Sequence, residues 1–144
     1  MTDARPVPDI SHPDFAPYWE AARGNRLVVP SCAQCHLRRW PPRPLCQRCG
    51  SWRYLWLEVK GTANLYSWTR VGRAALPGFA NYVPYTVAVA ELDDEPSIRI
   101  LATLEGADSS ELYVGAPLQI SFREQSGVIL PVWRIAERTD DGQV

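Results

Sequence analysis

Histidine is almost missing from this 144-residue chain, which has only His12 and His36. His12 lies in a proline-rich N-terminal arm, and His36 directly follows a cysteine. Neither has an evident serine or carboxylate partner, so no Ser-His-Asp arrangement can be read. A phosphate-binding loop, a dinucleotide fingerprint and a metalloprotease motif are also missing. These absences point away from a chain that catalyses a reaction by itself. No apolar run approaches the roughly 18 residues of a membrane-spanning helix. The opening Met1-Thr2-Asp3-Ala4-Arg5-Pro6 carries no apolar core of a secretory signal, so a cytoplasmic location away from the membrane is expected. Lysine is reduced to Lys60, and fourteen of the fifteen basic side chains are arginine, a composition that favours bidentate recognition.

Cysteine is scarce but concentrated. All four occur as Cys32-Ala33-Gln34-Cys35 and Cys46-Gln47-Arg48-Cys49, two Cys-x-x-Cys pairs ten residues apart. A two-residue gap lets both sulfurs of a pair face one point, and two pairs make a tetrahedral S4 site. Zinc suits four thiolates; rubredoxin-type iron is the rarer occupant, and two disulfides would need an oxidising compartment. The expectation is one structural zinc per chain on Cys32, Cys35, Cys46 and Cys49. Four protein ligands leave no open position for water or substrate, so such a metal is not Lewis-acidic. A segment this short and polar buries little core, and metal binding would supply its folding free energy.

Acidic residues are nearly excluded from the middle of the chain. Residues 21–73 hold ten basic side chains against Glu58 alone, a charge of +9, while residues 1–20 carry −3 and residues 74–144 carry −7. Such a block suggests phosphates, nucleic acid or an acidic protein face, or simply a solvated arginine surface.

In chain order, residues 1–12 form an arm. Asp14 can cap a short helix to about Arg23, whose apolar face is Phe15, Tyr18, Trp19 and Ala22, with Gly24-Asn25 as the stop. That face docks either on the core or in a partner's groove. Leu27–Pro30 reads as a strand entering the first cysteine pair, and prolines deny the loop from His36 to Leu45 a helix. Ser51–Lys60 alternates as a strand leaving the module. Beyond Gly61 the pattern is purely β, with strands at Ala63–Val71, Tyr85–Leu92, Ile98–Leu104, Leu118–Glu124 and Val128–Arg134. Five short strands suit a small closed barrel, with an OB-fold leading over a thin sandwich. The long connection 72–84 carries Phe79 and Tyr82 without a strand pattern, as functional loops often do.

The expected fold is therefore mainly β: arm and helix over 1–26, zinc ribbon over 27–60, a five-stranded OB-fold over 61–137, and a flexible tail over 138–144. A ribbon-plus-barrel protein could bind single-stranded nucleic acid, but the −7 of the barrel half would repel phosphates, making nucleic acid the less favoured partner.

An ordered set of motifs resembles the DUF35 family: Tyr18-Trp19-Glu20, the two cysteine pairs, Trp40-Pro41-Pro42-Arg43, Gly61-Thr62, Tyr66-Ser67, Pro84-Tyr85-Thr86-Val87-Ala88-Val89 and Val114-Gly115. Two departures stand out: His36 where glycine is usual, and Val132-Trp133 where phenylalanine is common. The resemblance implies a rubredoxin-like zinc ribbon with an acyl-CoA-associated OB-fold. It also implies a non-catalytic accessory subunit of a thiolase-superfamily enzyme, a thiolase or aldolase, including those cleaving steroid or other side chains. The partner would be that enzyme, in a hetero-oligomer such as α2β2, with acyl-CoA as the shared ligand and catalysis left to the partner. Arg38, Arg39, Trp40, Arg43, Arg73, Phe79 and Tyr82 are the candidates for binding the partner or CoA.

Overall fold

The computed structural model describes residues 5–137; the expected tail 138–144 and the first residues of the arm lie outside the described residues. Helix α1 (Ala16–Arg23) is followed by β1 (Leu27–Cys32) and β2 (Tyr54–Val59), a two-stranded antiparallel sheet. Five further strands follow: β3 (Thr62–Val71), β4 (Tyr85–Leu92), β5 (Arg99–Glu105), β6 (Pro117–Gln125) and β7 (Val128–Ile135). They close in the order β3-β4-β5-β7-β6, with β3 antiparallel to β6 at the seam and β5 parallel to β7. This is the five-stranded OB-fold barrel that the strand pattern predicts. Among the described residues, no helix is long and apolar enough to cross a membrane.

The helix forms where expected but starts differently. Asp14 does not cap it: Phe15 occupies the N-cap and offers no side-chain hydrogen bond. The carbonyl of His12 instead accepts the amides of Phe15 and Ala16, so the turn before the helix does the work of a cap. At the other end the amides of Gly24 and Arg26 donate to Ala21, and Asn25 takes the left-handed conformation (φ 56°). The apolar face turns inward. Tyr18, Ala21 and Ala22 are buried, and Tyr18 lies against Trp40 of the cysteine loop, ring centroids 4.9 Å apart. Burial drives the Tyr18 phenol pKa well up. The helix thus docks on its own core rather than waiting for a foreign groove.

One apolar cluster runs through the molecule. Leu27 and Val29 of β1 and Val59 of β2 join Leu65, Leu92, Ile98, Ile100, Leu118 and Trp133 of the barrel. The ribbon sheet is therefore fused to the barrel wall, not tethered to it. Gly61 makes the junction possible. Its φ of 76° favours glycine, its carbonyl accepts the Ile120 amide at 2.8 Å, and any Cβ there would collide with Ile120 Cγ2.

Candidate metal centre and its basic flank

Strand β1 ends on Cys32, so the first sulfur is delivered by a sheet rather than a loose loop. Two equivalent turns complete the site. The His36 amide donates to the Cys32 carbonyl at 3.1 Å, and the Gly50 amide donates to the Cys46 carbonyl at 2.9 Å. Both closing residues are left-handed, His36 at φ 61° and Gly50 at φ 73°. His36 thus closes the first turn in the same left-handed conformation with which Gly50 closes the second. A non-glycine residue there stores on the order of 1 kcal/mol of backbone strain. His36→Gly is accordingly expected to tighten the first turn by about 0.5–1 kcal/mol, read as slower zinc loss to a competing chelator. A variant that loses zinc faster would show that the imidazole contributes something the turn does not require.

The four Sγ atoms all lie within 4.8 Å of one another, with Cys32–Cys49 at 3.5 Å and Cys35–Cys46 at 3.6 Å. A disulfide needs about 2.05 Å, and all four cysteines are free. Tetrahedral thiolates about 2.3 Å from zinc stand about 3.8 Å apart, so the donor set fits the metal. Backbone amides tune the sulfurs. The amide of Cys35, with that of Gln34, brings the Cys32 thiol down to about 6 against its desolvation. Amides of Cys49 and Arg48 hold the Cys46 thiol below its ordinary range, against desolvation. At Cys49 the Ser51 amide pulls downward, but desolvation and the three neighbouring sulfurs outweigh it and raise the thiol to about 11. A divalent cation removes that sulfur–sulfur conflict. When bound, it cross-links the two turns; the closed S4 shell leaves it no substrate position.

The flanking candidates fall into two groups. Arg38, Arg39, Trp40 and Arg43 line one concavity between the ribbon and the start of β5. Arg39 is not a free surface cation. It is 6% exposed, its Nε and Nη2 donate to the Arg43 carbonyl at 3.1 and 2.7 Å, and its guanidinium lies over the Tyr54 ring. Trp40 packs on Phe15 and Tyr18, so it anchors the helix. Phe79 and Tyr82 gather elsewhere, at the barrel end, where Arg5 of the arm sits over the rings of Tyr82 (4.7 Å), Phe79 and Tyr85 (both 5.6 Å). Arg73 is exposed on the same connection. Gln125 and Ser126 hold the arm by donating to the carbonyls of Pro6 and Arg5. Sequence reasoning missed Arg5: nothing local signals that a residue in a polar arm meets rings some 75–80 positions away.

A rubredoxin-like S4 ribbon fused to an OB barrel defines the class of protein. Family models agree: the "ChsH2, rubredoxin-like zinc ribbon domain" matches residues 19–52 and the "ChsH2, C-terminal OB-fold domain" matches residues 56–123. The chain belongs to the DUF35 family. It is 31% identical over 119 residues to a DUF35 domain-containing scaffold protein of Pyrococcus furiosus, covering 78% of this chain and 85% of that one. It is 35% identical over 133 residues to a probable enoyl-CoA hydratase alpha subunit of Thermomonospora curvata, covering 92% of this chain but only 40% of that subunit. Among solved structures, a chain of the Ltp2-ChsH2(DUF35) aldolase superposes with a TM-score of 0.79 at 34% identity, over 92% of this chain and all of that one.

Proposed function

We propose that this chain is a non-catalytic accessory subunit that binds and supports an enzyme acting on CoA thioesters. More specifically, the partner is a thiolase-superfamily protein, a thiolase or aldolase, that makes or breaks a carbon–carbon bond. The observation that carries this reading is the superposition of 92% of this chain on a chain of the Ltp2-ChsH2(DUF35) aldolase. The hydratase relative supports only the CoA-thioester chemistry, because 60% of that subunit has no counterpart here. One zinc per chain holds the ribbon in shape, and assembly is hetero-oligomeric, with α2β2 the simplest form.

Among the surface candidates, Arg38 and Arg43 are assigned to partner recognition, while Arg39 and Trp40 stiffen the loop that presents them. Arg73, Phe79 and Tyr82 stand at the barrel end, where the 72–84 connection would meet the partner's active-site mouth or CoA.

Tagging the chain in its native host tests the proposal. A thiolase-like enzyme is expected to co-purify in a fixed ratio, with its carbon–carbon chemistry on acyl-CoA depending on this subunit. Recovery without any such enzyme, or an enzyme equally active alone, would refute it.

A further inference from the structure

The arginines of this molecule are partnered unevenly. Every arginine of the barrel strands beyond the 72–84 connection has an acid beside it: Arg99 pairs with Glu91, and Arg123 and Arg134 both with Glu105. Arg23 and Arg26, flanking the end of α1, reach Glu20 and Glu58. Arg38, Arg43 and Arg48 of the metal module form no ion pair among the described residues. These three border one continuous trough between the ribbon and the β4–β5 turn.

The trough has two adjoining concavities that share Leu37, Arg38 and Ser97. One, of about 180 Å³, is lined by Arg43 and Leu45 on the ribbon side and Ile98 on the barrel side. The other, of about 400 Å³, continues past Arg48 to Glu95. Its walls alternate charge and grease: Leu45 is 43% exposed between Arg43 and Arg48. Arg39 forms part of the first concavity, and its Nη1 is buried without a hydrogen-bond partner, a costly state for a cation. Glu95 is the one acid among the described residues of the rim; it accepts the Ser97 hydroxyl at 2.6 Å and forms no ion pair among the described residues. Arg39 clamps the loop by donating twice to the Arg43 carbonyl, and a metal on the two cysteine pairs would fix its ends.

We infer that this trough seats an extended, acidic segment of the partner enzyme, with carboxylates on Arg38, Arg43 and Arg48 and apolar side chains against Leu37 and Leu45. This deepens the accessory-subunit reading and rests on it for the identity of the partner. A compact anion would satisfy one or two arginines and leave the leucines wet. An extended segment alternating acid and apolar residues matches both.

The near-absence of lysine makes the test clean. In the co-purified complex, Arg48→Lys or Arg38→Lys would place an amine in the trough, with Lys60 as an internal control. A zero-length carbodiimide cross-linker then joins that amine to any carboxylate in contact. Cross-links from position 48 or 38 to Asp or Glu of the enzyme, mapped by mass spectrometry to one short segment, are expected. The double reversal Arg38→Glu/Arg48→Glu should weaken the complex by about tenfold or more and leave the zinc content and melting curve unchanged. An intact complex with no cross-link from either position overturns the inference while leaving the accessory role standing. Cross-links to another copy of this chain, or displacement of the enzyme by a dT12 oligonucleotide bound in its place, overturn it in favour of self-association or nucleic acid. If the unmodified chain recovers no enzyme, the accessory reading itself fails.

Discussion

Replacing Cys46 with serine is expected to empty the metal site and unfold the ribbon. Cys46 is 1% exposed, and its sulfur stands 3.6 Å from that of Cys35, so the serine hydroxyl would be a poor donor buried among three thiols. Structural zinc of this kind is worth on the order of 10 kcal/mol of folding free energy, and most of that would be lost. The damage should spread. Leu27, Val29 and Val59 of the ribbon sheet belong to the same apolar cluster as the barrel, so an unfolded ribbon exposes barrel surface. Plasma emission after gel filtration should find about one zinc in the parent and almost none in Cys46→Ser, with loss of near-ultraviolet dichroism and a lower melting temperature. Retention of the metal together with the parent melting curve would contradict the S4 assignment.

Trp133→Ala should also destabilise the protein, from within the barrel. Trp133 is fully buried on β7, beside Leu104 of β5 in the parallel pairing of the barrel, and its Nε1 donates to the Ile100 carbonyl at 3.2 Å. Truncating a buried tryptophan costs about 3–5 kcal/mol, and the orphaned carbonyl adds to it. The expected result is a fall in Tm of roughly 10 °C or more, with zinc still bound. Trp133→Phe keeps most of the volume and loses the hydrogen bond, so it should cost about 1–2 kcal/mol. Equal melting of Trp133→Ala and the parent would mean that the β5–β7 contact made by Trp133 does not hold the barrel together.

The barrel was readable because its strands alternate and its turns carry Gly, Asp and Pro. The expected strand Tyr85–Leu92 is the strand observed, and the others differ by a residue or two at their ends. The metal site was readable for a different reason, since ligand spacing is a local property. What failed was also local in kind. Asp14 has the right chemistry for a cap, yet the chain enters the helix through the His12 carbonyl, with Phe15 at the N-cap position. The pairing of arginines was beyond reach. In sequence Arg39 and Arg43 look alike, and only the fold buries one guanidinium against the carbonyl of the other. The aromatic seat of Arg5 likewise depends on a barrel end assembled from distant strands.

The parallel contact between β5 and β7 also imposes an order on synthesis. The strand pairing of the ribbon sheet lies wholly between Leu27 and Val59, so it can form once that stretch has left the ribosome. The barrel cannot do the same, because β7 is at once the neighbour of β5 and of β6. Until residue 135 emerges, β5 and β6 each present an open edge. A ribbon paired that early would lie against the part of the barrel wall that Leu27, Val29 and Val59 cover in the finished fold, shielding it until the last strand arrives.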